Sequence, residues 1–313
     1  MERETPDLET IKRQLMSLNR PKKPKMLVVD DEPDNLDLLY RTFRRNFNVF
    51  KAESGIRALE ILEAEGEVAV IISDQRMPEM KGTEFLSKTV RSFPNTVRII
   101  LTGFTDIEDL VDAINSGQVY KYITKPWDPN ELKTVVQRAA ETYELLNQRT
   151  AELQQAQEQT RLLGTIMQVA QQSQSLEASL RSIATAIGEN FHADVCILQQ
   201  ASENTLTTVE GSYSPSGSGE NWLADDPLVR EALSTQTVQA SLNVPKDPAV
   251  AEVQHYQTSE IQAHICVPVS FREKNVALVS LQWKQPCQLT PEDLDTLHWV
   301  AGAIALVIVS MEA

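Results

Sequence analysis

Short, almost continuously apolar segments alternate with amphipathic patterns between residues 26 and 125. The segments Met26–Val29, Val68–Ile72 and Val97–Leu101 are typical of parallel strands that are buried on both faces. Between them, apolar residues recur at the spacing of helices, and Gly66 and Gly117 are placed to end two of these helices. Five strands alternating with five helices predict a doubly wound α/β domain with a five-stranded parallel sheet.

A helix without a stop signal follows this domain. It is predicted to begin near Pro129, and neither Gly nor Pro occurs from Asn130 to Arg161. Steps of four and three residues form a coiled-coil seam: Leu132, Val136, Ala139, Tyr143, Leu146, Thr150 and Leu153. After a predicted slip of phase near Leu153, a second frame fits better: Ala156, Leu163, Met167 and Ala170. We expect the helix to pair with a second copy in a parallel dimer; the alternative is a helix folded back on its own domain.

The C-terminal part of the chain has a different pattern. Four segments are predicted as strands: Asp194–Leu198, Thr205–Tyr213, Ile261–Phe271 and Val276–Trp283. The polar connection Arg272–Asn275 predicts an antiparallel hairpin between the last two strands. Thr290 is placed as the N-cap of a final helix, with Pro291 in its first turn. These elements predict an α+β domain with an antiparallel sheet.

The chain is therefore predicted to have four parts. Residues 1–25 comprise a short amphipathic helix and a basic linker that contains two prolines, residues 26–140 the α/β domain, residues 141–170 the coiled-coil helix, and residues 171–313 the α+β domain.

Charge and composition exclude some classes of function. The chain has 29 Lys and Arg residues against 44 Asp and Glu residues, a net charge of −15, which argues against nucleic-acid binding because phosphate contacts need clustered cations. Three scattered cysteines fit a reducing compartment. The longest apolar run, Trp299–Val309, is shorter than the roughly 20 residues of a membrane span. The N-terminus lacks an apolar signal region. We expect a cytoplasmic protein that contacts no membrane.

Candidate chemistry lies at the carboxyl ends of the predicted parallel strands, where open α/β sheets place their sites. Asp30 and Asp31 follow the first strand, Asp74 the third, Thr102 ends the fourth, and Lys125 follows the fifth. Clustered carboxylates become favourable around a divalent cation, and oxygen ligands favour Mg²⁺. A carboxylate beside Mg²⁺, with a lysine and a threonine to hold phosphoryl oxygens, can accept a phosphoryl group.

Residues 26–140 resemble a response-regulator receiver domain. The segments VVDDEPDN, ISDQRMPEMKG, ILTGFTD and YKYITKPW match those of the family in order and spacing. The resemblance implies a flavodoxin-like fold with Asp74 as the phosphoacceptor. It implies that Asp31, Asp74 and the backbone carbonyl of Arg76 bind Mg²⁺, with Asp30 helping through water.

The same resemblance implies roles for three further residues. Lys125 and Thr102 would contact the phosphoryl oxygens, and Tyr122 would turn inward when Thr102 moves. The peptide bond between Lys125 and Pro126 would be cis, as in the family.

A rival class, the aspartyl-phosphate phosphatases, also uses Asp, Thr and Lys on such sheets, but needs an acid/base Asp two residues after its nucleophile. Arg76 occupies that position here. We therefore expect no enzyme activity beyond self-phosphorylation and autodephosphorylation. We also hypothesise that the bulk of Arg76 and Phe104 beside the route of attacking water slows hydrolysis of the aspartyl phosphate.

Residues 171–313 resemble a GAF domain, a small-molecule-binding or dimerisation module, through the segments HADVCILQQ, IQAHICVPVSFREKNVALVSLQW and LTPEDLDTLHWVAGAIALVI. Covalent bilin attachment is not expected, because Ala251 and Glu252 stand where related domains have Cys and His. Cys196 and Cys266 are interpreted as small core residues, and Cys287 as an exposed one. His255 and Tyr256 either line a pocket or are ordinary hydrogen-bonded residues. No cofactor-binding residue is assigned in this domain.

The predicted function is that of a two-component response regulator. A sensor histidine kinase would phosphorylate Asp74, and the change would pass through the coiled coil to the GAF domain and on to an unknown downstream protein, without DNA binding. Two alternatives remain: a GAF-based sensor of a small molecule such as a cyclic nucleotide or a tetrapyrrole, and a dimeric scaffold in which the receiver is a modulator.

Overall fold

A computed structural model of the chain describes residues 8–18, 23–103, 119–172, 175–215, 217, 221–287 and 289–312. The chain forms two compact units. The first is Pro21–Gln154, and the second combines Met1–Arg20 with Gln155–Ala313. The finer division of the chain at residues 26, 141 and 171 stays a prediction.

The predicted elements that the structure describes occur in the predicted order, while helices α7 and α8 and strand β8, given below, were not predicted. The helices are α1 (Leu8–Leu18), α2 (Pro33–Phe43), α3 (Gly55–Glu65), α4 (Gly82–Thr89), α5 (Pro129–Gln172), α6 (Leu176–Asn190), α7 (Pro227–Thr235), α8 (Gln254–Ser259) and α9 (Pro291–Glu312). The strands are β1 (Lys25–Val29), β2 (Asn48–Ala52), β3 (Val70–Asp74), β4 (Val97–Thr102), β5 (Lys121–Thr124), β6 (Val195–Ser202), β7 (Thr205–Tyr213), β8 (Gln239–Ser241), β9 (Ala263–Phe271) and β10 (Lys274–Trp283).

The first unit is the predicted α/β domain. Its five strands are parallel in the order β2-β1-β3-β4-β5. Alternate side chains of β1 face opposite sides of the sheet, so that Met26 and Val28 pack with α2 and α5 while Leu27 and Val29 pack with α3 and α4. Both faces are covered, which explains the continuously apolar strands. The predicted fourth helix and Gly117 lie outside the described residues.

Local sequence signals fix the ends of several helices. Ser54 caps α3 by accepting a hydrogen bond from the backbone N–H of Arg57, and Gly66 ends that helix at a φ of 76°. Thr290 and Asp293 cap α9 reciprocally, each accepting the other's backbone N–H. The predicted helix end at Gly66 and the predicted start of the final helix at Thr290 are therefore confirmed.

The second unit has an antiparallel sheet in the order β7-β6-β10-β9-β8. The predicted hairpin joins β9 to β10 through Arg272 and Glu273, both of which have positive φ. One face of the sheet packs against α6 and α9, and the other packs against α7 and α8. The three-residue strand β8 was not predicted, and the expectation that Cys287 is exposed was wrong, because this thiol is buried.

Helix α5 continues from Pro129 to Gln172, which confirms the prediction of a long helix without a stop signal. It begins after Asp128, whose carboxylate accepts hydrogen bonds from the backbone N–H groups of Asn130 and Glu131. Leu132 and Val136 of the predicted seam are buried against the sheet of the first unit. The first turns of α5 therefore pack on their own domain, which was the alternative to pairing with a second copy. Pairing with a second copy further along the helix stays a prediction.

Helix α9 is the helix of the described residues whose length and composition would suffice for a membrane span. Half of that stretch is buried inside the second unit. Its apolar residues include Leu294, Leu297 and Ile304 in the core of the sheet's first face. Packing in this core accounts for the apolar residues of the buried face, while Trp299 and Leu306 of the same helix are 72% and 62% exposed.

The N-terminal helix α1 belongs to the second unit although the first unit follows it in the chain. Ile11 and Leu15 are fully buried in the core that also contains α9. The ammonium of Lys12 lies 2.7 Å from a carboxylate oxygen of Asp295 on α9. The apolar face predicted for this helix is thus covered within its own chain.

We predict that Leu15→Ala lowers the free energy of unfolding of the second unit by about 2–5 kcal/mol, because truncating a buried leucine removes apolar contact and leaves a cavity. Met16→Ala is the matched control, since the neighbouring Met16 side chain is 59% exposed. Urea unfolding can be followed by tryptophan fluorescence in a Trp127→Phe background, which keeps only tryptophans of the second unit. Equal stability of the two variants would show that α1 does not pack in solution.

Candidate phosphoacceptor site

Three charged side chains meet at the carboxyl edge of the parallel sheet. Asp30 follows β1, Asp74 ends β3, and Lys125 follows β5. The Lys125 ammonium lies 3.1 Å from Oδ2 of Asp30 and also contacts Oδ1 of Asp74. The predicted convergence of these three residues is therefore present, with one cation bridging two carboxylates.

Asp30 is held in one orientation by donors from the start of α2. Its side chain is fully buried. Its Oδ1 accepts a hydrogen bond of 2.9 Å from the backbone N–H of Glu32, and the Asn35 amide donates to both carboxylate oxygens at 3.1–3.2 Å. A buried carboxylate needs such donors to replace its lost hydration. Asn35 was not predicted as a site residue, although it stands within the quoted VVDDEPDN segment.

Asp74 is positioned by a tight loop after β3. Its Oδ2 accepts a hydrogen bond of 2.7 Å from the backbone N–H of Arg76. The loop returns to the strand through a hydrogen bond from the Gly82 N–H to the Gln75 carbonyl. A Cβ at Gly82 would lie 2.1 Å from the backbone oxygen of Asp74, so only glycine permits this close approach.

Burial and the contacts among Lys125, Asp30 and Asp74 determine the pKa shifts of the site. Burial raises the pKa of Asp74 above its ordinary value, although the hydrogen bond and charge of Lys125 act in the opposite direction. Burial also acts to lower the pKa of Lys125, but its hydrogen bonds to Asp74 and Asp30 outweigh this, and the pKa is raised. Lys125 is therefore a permanent cation at neutral pH.

Thr102 and Tyr122 lie on the neighbouring strands β4 and β5, with Thr102 at the end of its strand and Tyr122 opposite Ile100. Thr102 is buried at the end of β4, its hydroxyl donates to the Gly103 carbonyl at 3.0 Å, and its own carbonyl accepts from the Lys125 N–H at 2.7 Å. Tyr122 is half-buried beside the apolar cluster of α3 and α4. The Lys125–Pro126 peptide bond is cis, as the resemblance implied.

Two of the remaining predicted residues are exposed. Asp31 and the side chain of Arg76 are exposed, while Phe104 lies outside the described residues. Asp31 stands next to the buried Asp30, at the solvent side of the same strand end. It therefore remains available to a ligand that approaches from solvent.

The donor set fits a magnesium ion. Asp30, Asp31 and Asp74 place three carboxylates at the ends of β1 and β3 beside the Lys125 ammonium, and the resemblance implies the backbone carbonyl of Arg76 as a further oxygen ligand. Hard oxygen donors are the ligands that Mg²⁺ prefers. The excess of negative charge gives this edge a physical reason to bind a cation.

In the second unit, the two residues left open by the sequence have different environments. His255 stacks on Trp222 at a centroid distance of 3.7 Å, and both line a cleft of about 730 Å³. Tyr256 is buried, and its hydroxyl lies 2.6 Å from Nδ1 of His264. His255 therefore lines a pocket, whereas Tyr256 belongs to the interior.

We predict that Lys125→Met, without divalent cations at pH 7, lowers the free energy of unfolding of the first unit by about 1–3 kcal/mol, because two buried carboxylates lose their cation. The pKa of Asp74 should then rise further. A raised carboxyl pKa means that the folded state takes up its proton first, so the loss should shrink as the pH falls through that pKa.

The matched control is Lys51→Met. Lys51 forms an ion pair of 3.0 Å with Asp37 in which both side chains are about half-exposed, and exposed pairs contribute little to stability. Urea unfolding as a function of pH measures both variants. Equal effects of the two substitutions, or a Lys125→Met loss that does not change with pH, would contradict the bridge.

Two family models match the chain. The response regulator receiver domain matches residues 26–137, and the GAF domain matches residues 175–308. These ranges cover the parallel-sheet domain and the antiparallel-sheet domain, and α5 runs between them.

Individual relatives match the receiver region. The hydrogenase transcriptional regulatory protein HoxA of Cupriavidus necator is 41% identical over 120 residues, which are 38% of this chain and 25% of HoxA. The chemotaxis protein CheY1 of Helicobacter pylori is 36% identical over 114 residues, covering 35% of this chain and 90% of CheY1. A solved receiver domain protein of Clostridium thermocellum is 29% identical with a TM-score of 0.37, covering 39% of this chain and 98% of that protein.

The chain thus spans about a quarter of the length of HoxA, and nearly the whole of CheY1. The chain belongs to the response-regulator receiver family through residues 26–137, and it carries a GAF domain at residues 175–308.

Proposed function

We propose that this chain is a cytoplasmic two-component response regulator that accepts a phosphoryl group on Asp74 from a sensor histidine kinase. The observation that carries the proposal is the Lys125 ammonium between Asp30 and Asp74 at the carboxyl edge of the sheet. This ammonium contacts the nucleophilic carboxylate. When a phosphoryl group arrives, the ammonium can turn from the carboxylate to the negatively charged phosphoryl oxygens.

In the transfer, an oxygen of Asp74 forms a bond to phosphorus as the bond from phosphorus to the kinase histidine nitrogen breaks. The nitrogen keeps the electron pair and takes up a proton. Lys125 moves its hydrogen bond from Asp74 to a phosphoryl oxygen, and the Thr102 hydroxyl leaves the Gly103 carbonyl to donate to another. Asp31, Asp74 and the Arg76 carbonyl would hold Mg²⁺, with Asp30 acting through water, and the ion would neutralise phosphoryl charge.

The proposed chemistry stops at the protein's own aspartate. Arg76 stands two residues after Asp74, where an aspartyl-phosphate phosphatase needs its acid/base carboxylate. Its guanidinium cannot supply a proton and take it back at neutral pH, because it stays charged. We therefore propose self-phosphorylation and autodephosphorylation without turnover of a separate substrate.

The phosphoacceptor assignment is tested with acetyl phosphate and Mg²⁺. Wild-type protein should gain one phosphoryl group per chain by intact-mass measurement, and Asp74→Asn should gain none. Asp37→Asn, which removes an exposed carboxylate from α2 of the same unit, should behave like the wild type. Equal labelling of Asp74→Asn and the wild type would contradict the assignment.

We further propose that the phosphorylated state is transmitted through a parallel homodimer of α5. Leu146 and Leu153 are 38% and 66% exposed and lie seven residues apart, on one face of the helix. Exposed leucines at this spacing lose water contact when a second copy covers them. Phosphorylation would favour one of two pairings of these helices. The output would be a downstream protein, since a net charge of −15 disfavours DNA.

We predict that the double substitution Leu146→Glu/Leu153→Glu raises the dimer Kd by roughly 100-fold or more, because carboxylates would be buried in the seam of both chains. Leu145→Glu is the control, since Leu145 is 52% exposed but lies off the seam. Sedimentation equilibrium measures the association. A dimer that survives the double substitution, or wild-type protein that is monomeric, would contradict the pairing.

A second candidate function is small-molecule sensing by the GAF domain. The cleft beside Trp222 and His255 favours it, because its volume of about 730 Å³ is in the range of ligand sites. In this alternative a cyclic nucleotide or a tetrapyrrole is the input and the receiver modulates the response. The two inputs are compatible, since coupling between two sites is reciprocal.

A further inference from the structure

A cluster of polar side chains is buried inside the apolar layer between the GAF sheet and α7. Asp226, His264 and Cys266 are each fully buried. A carboxylate oxygen, an imidazole nitrogen and the thiol sulfur lie within 4.8 Å of one another. Among the described residues, these are the three metal-ligating side chains that come together in this way.

Secondary structure brings the three groups to one point. His264 and Cys266 alternate on β9, so their side chains share one face of the sheet. Asp226 is the N-cap of α7, and its Oδ1 accepts from the Val229 N–H at 3.1 Å. The surrounding side chains are apolar and include Leu228. The cluster is thus held by two rigid elements.

The imidazole of His264 is aimed at the thiol. Its Nε2 lies 3.2 Å from Sγ of Cys266 and 2.8 Å from Oγ of Ser280, and its Nδ1 lies 2.6 Å from the Tyr256 hydroxyl. Tyr256 is also hydrogen-bonded to Asp226. If Nδ1 carries the proton and donates it to Tyr256, the lone pair of Nε2 faces the side of the ring where Cys266 lies.

The carboxylate of Asp226 lacks a strong cation. In the described part of the chain its ion-pair partners are two imidazoles: Nε2 of His255 at 3.0 Å from Oδ2, and Nδ1 of His264 at 4.0 Å from Oδ1. Hydrogen bonds from the Val229 N–H, His255 and Tyr256 reach this carboxylate, but none of these groups is a permanent cation. A metal ion would supply the positive charge that a buried carboxylate favours.

We propose that Asp226, His264 and Cys266 bind one divalent transition-metal ion, for which Zn²⁺ is the best match. Thiolate, imidazole and carboxylate together form a borderline-soft donor set that suits Zn²⁺ and not Mg²⁺ or Ca²⁺. On binding, the Cys266 thiol releases its proton to solvent and its sulfur forms a bond to the metal. The fourth position is filled by water or, after the ring turns from Asp226, by His255.

The neighbouring groups have the arrangement of outer partners in metal sites. The Tyr256 hydroxyl is hydrogen-bonded to Nδ1 of His264, the ring nitrogen that does not face Cys266. Nε2 of His255 is hydrogen-bonded to Oδ2 of Asp226. Such partners set the tautomer of a ligating histidine and the direction of a ligating carboxylate. Trp222 covers this group, stacked on His255 and edge-on to His264 at 5.6 Å. The ion would therefore be shielded from solvent.

The test is a cobalt titration of the full chain after treatment with a chelator, in buffer with excess Mg²⁺ to saturate the receiver carboxylates. Co²⁺ should add one thiolate-to-metal charge-transfer band per chain, with intense tetrahedral visible bands, and Zn²⁺ should abolish both. The first unit contains no cysteine, so the band reports on the second unit whether or not the receiver is phosphorylated on Asp74.

Two variants locate the ligand. Cys266→Ser should lose the charge-transfer band, and Asp226→Asn should weaken Co²⁺ binding at least tenfold while it keeps a hydrogen-bond acceptor at the helix cap. Cys196→Ser is the matched control, because Cys196 is an equally buried thiol on β6 that packs on the other face of the sheet. It should bind Co²⁺ like the wild type.

Wild-type protein without the band, or a band that survives Cys266→Ser, overturns the proposal and leaves a hydrogen-bonded polar core. If Cys266→Ser does not fold, X-ray absorption of the zinc-loaded wild type decides. One sulfur and at least one imidazole in the first coordination shell support the site, and a shell of water and carboxylate oxygens alone overturns it.

Discussion

The site at the carboxyl edge of the receiver sheet depends on the length of the Lys125 side chain, which contacts carboxylates at the ends of two other strands. Neighbouring strands lie about 4.8 Å apart, so β5 is about 10 Å from β3 with β4 between them. Lys125 must cross the end of β4, the strand that Thr102 ends, to contact Asp74. A long, flexible side chain with a compact charge can do this, and a shorter one on β5 would leave Asp30 and Asp74 facing each other without a cation.

This bridge also explains how the site can respond to a ligand. Two buried carboxylates share the Lys125 ammonium, so this bridge carries a net negative charge. A new negative group that attracts Lys125 competes with Asp74 for the same three N–H donors. The backbone N–H of Lys125 donates to the Thr102 carbonyl, so this lysine connects Asp74 on β3 with the ends of β4 and β5.

Features that depend on local sequence could be predicted, and features that depend on contacts between distant segments could not. The apolar strands and the residues at their ends gave the parallel sheet, and the polar turn Arg272–Asn275 gave the hairpin of the second sheet. The short strand β8 has too few residues for a period. Cys287 stands in a polar connection, and its burial follows from packing that no local pattern encodes.

The buried polar cluster in the GAF domain could not be predicted for the same reason, because its residues come from distant segments of the chain. Cys266 and His264 alternate along an apolar strand, which indicates a core position for both but not a shared environment. Asp226 is recognisable as a helix cap from its neighbour Pro227. Only the packing of α7 on β9 brings these groups together. By contrast, the receiver site was recognisable because parallel strands carry their terminal residues to one edge by topology alone.

Helix α5 contributes residues to the cores of both units. Val136 is buried in the core of the first unit, and Ile166 in the core of the second, while Leu146 and Leu153 between them are exposed. Neither Gly nor Pro occurs from Asn130 to Arg161, so this stretch of α5 lacks the residues at which helices usually bend. Leu146 and Leu153 lie within this stretch, and a partner that covers them would therefore contact the same helix whose first turns pack in the receiver core.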